Sequence, residues 1–256
     1  MNAILPLLNR VLQINKWWLS LLAGAALCAV LLITISGKKV VAADAVKKDV
    51  VQTPAKPKAK AWRPGDKRRK VLLIGDSMIE GLTSRLTDYF ENSGWDATTI
   101  VWYGSSTKSW CYHDTLQDIL ALQKPDFVVF TSGTNELLMP YIRQRLPYIE
   151  KIKNALSPYR FAWVGPPSWT KDTGLNFLID STLSNRNFFL SKNLEMPRHK
   201  DGIHPNKDGN RIWTDSLVVW MNDSYDDYFY LSTPDSFSNR IRHLSMMPTK
   251  LIFAKD

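Results

Sequence analysis

The chain has 256 residues, a formal net charge of +9 at neutral pH and 45% hydrophobic residues. This length accommodates one ordinary domain with appendages, and the apolar content is sufficient for a buried core. Much of the positive charge lies between residues 38 and 70, so it does not indicate a basic folded surface, and we expect no nucleic acid partner. The two cysteines, Cys28 and Cys111, are too few for a disulfide framework and leave the cellular compartment open.

Residues 17–36 contain no charged residue and consist mostly of Leu, Ala, Val and Ile. A helix needs about 20 such residues to cross a bilayer, and a core helix would not be apolar on every side. We therefore predict a transmembrane anchor that follows a short N-terminal segment, residues 1–16. A cleaved signal peptide is the main alternative, but its apolar core is usually only about 7 to 15 residues long.

The charges on either side of this span bear on its orientation in the membrane. Two basic residues precede the span and four lysines follow it by residue 48, which by the positive-inside rule favours a cytoplasmic C-terminal part. Asp44 and Asp49 partly offset this bias. Because the family resemblance described below favours work outside the cytoplasm, we expect a single-pass protein of the inner (cytoplasmic) membrane with a periplasmic C-terminal domain.

Residues 37–69 are rich in Lys, Ala, Val and Pro and show neither a helical nor a strand period, so they are predicted to form a flexible basic linker. From residue 70 the pattern changes to short β-rich runs that alternate with helical stretches, as in a parallel sheet with crossover helices. Strands are predicted at 71–74, 98–103, 127–131, 161–164 and 188–190. Helices are predicted at 79–91, 115–122, 142–156, 175–183 and 208–221. The sequence thus predicts an α/β domain over residues 70–222 and a C-terminal extension, residues 223–256, of unknown role.

Small polar residues follow each of the first three predicted strands. These clusters are Gly75-Asp76-Ser77, Gly104-Ser105-Ser106 and Gly133-Thr134-Asn135-Glu136. Each cluster alone is typical of a turn. The carboxyl ends of parallel strands meet at one edge of a sheet, however, and ligands bind there in open α/β folds. We therefore expect the three clusters to form one site.

A fourth segment, Asp201-Gly202-Ile203-His204-Pro205, lies just before the last predicted helix. A serine hydroxyl becomes a useful nucleophile when a neutral imidazole accepts its proton and a carboxylate orients that imidazole. Ser77, His204 and Asp201 supply these three groups, and the backbone N–H groups of Ser77 and Gly104 with the Asn135 amide could stabilise an oxyanion. The other histidines lie in no comparable pattern: His113, His199 and His243. The sequence carries neither metal-ligand spacing nor a phosphate-binding or dinucleotide-binding glycine motif, so we expect no metal and no cofactor.

In combination, these four segments resemble the conserved blocks of the SGNH hydrolase superfamily, also described as GDSL-like lipases and acylhydrolases, over roughly residues 70–221. The resemblance implies a flavodoxin-like three-layer α/β/α sandwich with a mainly parallel five-stranded sheet. It also implies ester hydrolysis by a catalytic triad of Ser77, Asp201 and His204, with Ser77, Gly104 and Asn135 forming the oxyanion hole. Glu136 departs from the family, which often has Asp there, but it is not a triad member. The Ser105-Ser106 pair leaves the register of the second block open by a residue or two.

We expect an esterase that removes acyl groups, most plausibly O-acetyl groups, from a cell-envelope carbohydrate or another ester substrate. Aromatic residues near the site suit sugar rings, although at least half of them could be core: Trp102, Tyr103, Trp110, Tyr112 and Trp169. The same triad would serve an O-acyltransferase that works beside a membrane acyltransferase partner, and the sequence does not separate the two. A catalytically silent scaffold is a third hypothesis, which the presence of every expected catalytic residue type disfavours.

Overall fold

The computed structural model describes residue 59 and residues 61–183, 186–241 and 244–247. Its strands are Arg69–Gly75 (β1), Trp95–Val101 (β2), Phe127–Thr131 (β3), Arg160–Val164 (β4), Phe188–Phe189 (β5) and Leu244–Met246 (β6). Its α-helices are Met78–Asn92 (α1), Thr107–Trp110 (α2), Thr115–Gln123 (α3), Leu146–Leu156 (α4), Leu175–Thr182 (α5) and Lys207–Ser224 (α6). Short 3-10 turns lie at Tyr112–Asp114, Thr134–Glu136, Ile142–Arg145 and Ser191–Asn193.

The strands form one sheet in the order β5-β4-β3-β1-β2-β6, and every neighbouring pair is parallel. The order β2-β1-β3-β4-β5 within it is that of a flavodoxin-like fold, so the predicted fold class is confirmed. The predicted number of five strands was wrong, because β6 adds a sixth strand beside β2. This strand comes from the C-terminal extension, and its three exposed residues are too few for a strand period to show in the sequence.

Helices cover both faces of the sheet because β1 is apolar at every position from Val71 to Ile74. Its alternate side chains point to opposite faces. Val71 and Leu73 share one core cluster with residues of α1 and α6, whereas Leu72 and Ile74 share the other with residues of α3, α4 and α5. A strand that is buried on both sides reads as one continuous apolar run, which is why β1 was visible in the sequence.

The C-terminal extension contributes to the core. Tyr225, Phe229 and Leu231 are almost completely buried, and the Tyr225 hydroxyl donates to the Phe161 carbonyl oxygen at 2.5 Å. The Phe229 ring packs edge-to-face against Phe127, with the ring centroids 5.0 Å apart. These partners lie at the beginnings of β3 and β4, so the extension closes the core at the amino-terminal edge of the sheet, opposite the predicted site.

The carboxyl ends of β1 and β3 approach very closely at Gly75. A Cβ atom at this position would lie 2.0 Å from Thr131 Oγ1 and 2.4 Å from the Thr131 carbonyl oxygen, so only glycine fits. The close approach places the two loops that follow these strands side by side. It is the first geometric condition for a site at this edge.

Across the part of the chain that the structure describes, no helix combines the length and the hydrophobicity needed to span a membrane. The predicted anchor, residues 17–36, and most of the predicted linker lie outside the described residues.

Candidate active site

The structure brings together Ser77, His204 and Asp201, although Ser77 and His204 are 127 residues apart in the sequence. Ser77 lies between β1 and α1, and the other two lie in the loop that precedes α6. Ser77 Oγ is 2.9 Å from His204 Nε2, and His204 Nδ1 is 2.7 Å from Asp201 Oδ2. The three groups therefore form a continuous hydrogen-bonded relay from hydroxyl to carboxylate.

The loop from residue 201 to residue 206 is folded by its own short-range hydrogen bonds. Asp201 Oδ1 accepts the backbone N–H groups of Ile203 at 2.8 Å and His204 at 3.0 Å, while Gly202 adopts a positive φ of 69°. The Asn206 side chain then accepts the first free N–H groups of α6 and begins that helix. One carboxylate oxygen of Asp201 thus shapes the loop, and its other oxygen holds the imidazole.

The electrostatics of this pair favour an ionised carboxylate on Asp201. The hydrogen bond from His204, followed by the N–H of Ile203, lowers the pKa of Asp201 to about 2. An ionised carboxylate beside Nδ1 keeps the ring proton on that nitrogen, so Nε2 is left with a lone pair facing the Ser77 hydroxyl. This is the tautomer that can accept a proton from serine.

The predicted oxyanion donors lie at the ends of the three neighbouring strands. Asn135 is exposed, and its side-chain N–H₂ donates to the Ser105 carbonyl oxygen at 2.9 Å. This bond uses one of the two amide N–H groups and fixes the nitrogen side of the amide, so the second N–H remains as a donor. Gly104 is exposed, with a φ of 70°, and Ser77 precedes the first residue of α1, where backbone N–H groups lack intrahelical acceptors.

A buried carboxylate connects the loop of Ser77 with that of Asn135. Asp76 is fully buried, and its two oxygens accept the N–H of Met78 at 3.1 Å and the N–H of Thr134 at 3.2 Å. Burial raises the pKa of Asp76, and these N–H donors oppose that rise. The carboxylate therefore acts as a bridge between the start of α1 and the turn that carries Asn135.

A second buried carboxylate extends the bridge to the loop after β2. Glu136 is 1% exposed, and it accepts the N–H of Thr107 at 2.7 Å and the hydroxyl of the same residue at 2.9 Å. Its Oε1 also lies 2.7 Å from Arg145 Nε. Burial raises the pKa of Glu136, and Arg145 opposes that rise. Glu136 therefore connects the Asn135 turn to the first residue of α2, Thr107, in the loop that contains Gly104.

A cavity of about 580 Å³ opens beside Ser77 and His204. Its lining includes polar residues that were not predicted from the sequence, among them Glu80, His199 and Asn239. Glu80 could have been found, because it lies three residues after Ser77 on the same face of α1. His199 had a similar local signal, because it lies two residues before Asp201, whereas Asn239 is near no predicted site residue in the sequence.

The aromatic residues divide between core and site. Trp102 and Trp110 are completely buried and pack edge-to-face at 5.1 Å, so they are core residues. Tyr103 lines the cavity, and its hydroxyl donates to Glu80 Oε2 at 2.7 Å. Desolvation, with the neighbouring Glu80 carboxylate, raises the pKa of Tyr103 to about 12, which keeps the phenol neutral.

We expect Asp76→Asn to destabilise the protein, because the new amide nitrogen would face an N–H donor where an oxygen accepts one now. The expected loss is about 1 to 3 kcal/mol in the free energy of unfolding at pH 7, measured by chemical denaturation. Asp96→Asn, which removes an exposed carboxylate paired with Arg68, is the matched control and should cost at most about 1 kcal/mol.

The difference in the free energy of unfolding between the wild type and Asp76→Asn is expected to depend on pH. Because the folded-state pKa of Asp76 is raised, its contribution to stability is fully present below the unfolded pKa and is lost as the pH rises through the folded pKa. The wild-type advantage over Asp76→Asn should therefore grow as the pH is lowered from 7. An advantage that shrinks on acidification would contradict a raised pKa.

No family model matches this chain, and no curated protein matches it. Solved structures that resemble it include TesA, with 16% identity over 61% of this chain and 99% of that chain and a TM-score of 0.49. An acetyl esterase variant with acetate ion has 16% identity over 60% and 99% of the two chains, with a TM-score of 0.43. A family 3 carbohydrate esterase of Clostridium thermocellum has 16% identity over 62% and 100%, with a TM-score of 0.44. Likeness at this level carries no statement about activity, and the fold and the site stand on the geometry of the chain itself.

Proposed function

We propose that this chain is a serine esterase of the SGNH type that hydrolyses acyl esters through Ser77, His204 and Asp201. One observation carries the proposal. Ser77 Oγ lies 2.9 Å from His204 Nε2, and the other ring nitrogen, His204 Nδ1, lies 2.7 Å from the carboxylate of Asp201. Hydrogen-bonded serine, histidine and aspartate in this sequence of contacts are the parts that acyl transfer to serine requires.

In the first half of the reaction, Ser77 Oγ attacks the ester carbonyl carbon while His204 Nε2 takes the hydroxyl proton. The resulting oxyanion is stabilised by N–H donors from Ser77, Gly104 and Asn135. Removal of one such donor typically lowers the rate by on the order of 10²- to 10³-fold. Collapse of the tetrahedral intermediate breaks the bond to the alcohol oxygen, which takes the proton back from Nε2. The acyl group remains on Ser77.

In the second half, water occupies the place of the departed alcohol. His204 Nε2 accepts a proton from this water as its oxygen attacks the acyl carbon, and the bond to Ser77 Oγ then breaks. The proton passes from Nε2 to Oγ, and the free acid leaves. Asp201 stays ionised throughout and stabilises the imidazolium that forms twice per cycle.

The substrate that we propose is an O-acetyl ester on a cell-envelope carbohydrate. The predicted anchor and linker support this proposal, because a tethered enzyme on the outer side of the inner membrane would reach a polymer that cannot diffuse to it. Polar side chains around the cavity beside Ser77 support a hydroxylated substrate.

Turnover of p-nitrophenyl acetate and of an O-acetylated glycan tests the proposed chemistry. Ser77→Ala should reduce both activities by at least about 10³-fold, because water alone must then replace the serine nucleophile. Ser157→Ala, which alters an exposed serine before β4 at the opposite edge of the sheet, should retain wild-type rates. Equal turnover by the wild type and Ser77→Ala would refute the role of Ser77.

The proposed periplasmic placement is tested by a reporter fused after Asp256. A reporter that functions only in the periplasm should be active, and one that functions only in the cytoplasm should be silent. The reverse pattern would show that the positive charges after the predicted span set the orientation.

A further inference from the structure

The cavity beside Ser77 lies on one particular side of the reacting atoms. Its lining includes His204, Asp201 and His199, and includes neither Gly104 nor Asn135. In the proposed reaction, His204 Nε2 returns its proton to the alcohol oxygen of the ester, whereas the carbonyl oxygen points to the N–H donors of Ser77, Gly104 and Asn135. Two of these three donors lie outside the cavity lining. The cavity therefore lies where the alcohol portion of the ester must lie.

We propose that this cavity binds the alcohol portion of the substrate, that this portion is a hydroxyl-rich unit within a chain, and that Asn239 of the C-terminal extension contacts it. This inference rests on the proposed esterase function and adds the place where the carbohydrate binds and a specificity residue. An acyltransferase would place its acceptor hydroxyl in the same cavity, because transfer to an alcohol is the reverse of the first half of the reaction.

The chemistry of the cavity wall matches hydroxyl groups. Six side chains with polar groups that are not triad members line it: Glu80, Ser84, Tyr103, His199, Asn210 and Asn239. They offer both donors and acceptors, which neighbouring hydroxyls of a sugar can satisfy in pairs. Among the described residues that line this cavity there is no lysine or arginine, so an anionic group at this position is not favoured.

The cavity continues into a neighbouring one, which accounts for a chain rather than a single small alcohol. A second cavity of about 380 Å³ shares four lining residues with the first: Ser84, His199, Asn210 and Asn239. It extends past Lys207 and Arg211 at the start of α6. Together the two cavities form a groove that begins at Ser77 and is lined by residues of α1 and α6, so units next to the acylated one would lie in the second cavity.

The wall that carries Asn239 is fastened to α1 by a buried carboxylate. Asp88 is 7% exposed and accepts the N–H and the hydroxyl of Ser238, both at 2.7 Å, and the N–H of Asn239 at 3.1 Å. One residue earlier, the Phe237 ring lies 3.4 Å from the Arg85 guanidinium carbon. These contacts hold the extension against the groove, so its position does not depend on substrate.

Asn239 has a φ of 51°, a left-handed conformation that asparagine tolerates and that glycine adopts freely. Asn239→Gly therefore removes the side chain, with its exposed hydrogen bond to the Phe237 carbonyl oxygen, while it preserves the backbone hydrogen bond to Asp88. Ser236→Gly, an exposed position three residues earlier that does not line the cavity, is the matched control. Both variants are compared with the wild type on p-nitrophenyl acetate and on an O-acetylated oligosaccharide of four or more sugar units.

We expect Asn239→Gly to lower kcat/KM for the oligosaccharide by about 3- to 10-fold, through an increase in KM. This is the effect expected from the loss of one hydrogen bond to the substrate. Its kcat/KM for p-nitrophenyl acetate should stay within about twofold, because this leaving group has no hydroxyls for Asn239 to bind. Ser236→Gly should leave both values unchanged.

The outcomes separate this inference from the proposed function. If the wild type turns over neither substrate in a Ser77-dependent way, the esterase proposal fails and the inference with it. If it turns over p-nitrophenyl acetate alone, the hydroxyl-rich alcohol is wrong while the chemistry stands. If both substrates are turned over but Asn239→Gly lowers both equally, or neither, Asn239 does not contact the alcohol and the inference is overturned.

Discussion

Two buried carboxylates hold together the loops that form the site at the carboxyl edge of the sheet. Asp76 joins the start of α1 to Thr134, and Glu136 joins the same turn to Thr107 at the start of α2. Each carboxylate is costly to bury, and each is compensated by backbone N–H groups that the strand exits leave without sheet partners. Without these bridges, the proposed nucleophile and the proposed oxyanion donors would be carried by three independent loops.

The acid and base of the relay are held in a different way. Asp201 and His204 lie in one short loop that is held by hydrogen bonds to Asp201 itself, so their mutual geometry is set within the loop. To bring this loop to Ser77, α6 must pack beside α1, and this is a long-range contact. Gly81 permits this approach, because a Cβ atom there would lie 2.4 Å from Asn210 Oδ1. Positioning within the loop and positioning of the loop are thus separate constraints.

This division explains how much could be predicted from the sequence. Buried parallel strands such as β3 read as short apolar runs, and the spacing of Asp201 and His204 is local, so the fold class and the proximity of these two residues were both accessible. Other features depend on contacts between residues more than 100 positions apart in the sequence. They are the contribution of Phe229 to the core, the strand at 244–246 and the position of Asn239 beside the groove. Composition cannot encode such contacts. Trp102 and Trp110 read as possible sugar platforms in the sequence, but both follow β2 into the core.

The central claim is that His204 activates Ser77 as a nucleophile, and covalent labelling tests it most directly. The wild-type protein is incubated with a fluorophosphonate, which reacts with activated serines, and the modified peptide is mapped by mass spectrometry alongside His204→Ala. The account predicts one phosphonyl group on Ser77 in the wild type and strongly reduced labelling in His204→Ala. Labelling of another serine, or an equal rate of Ser77 labelling in both proteins, would contradict it.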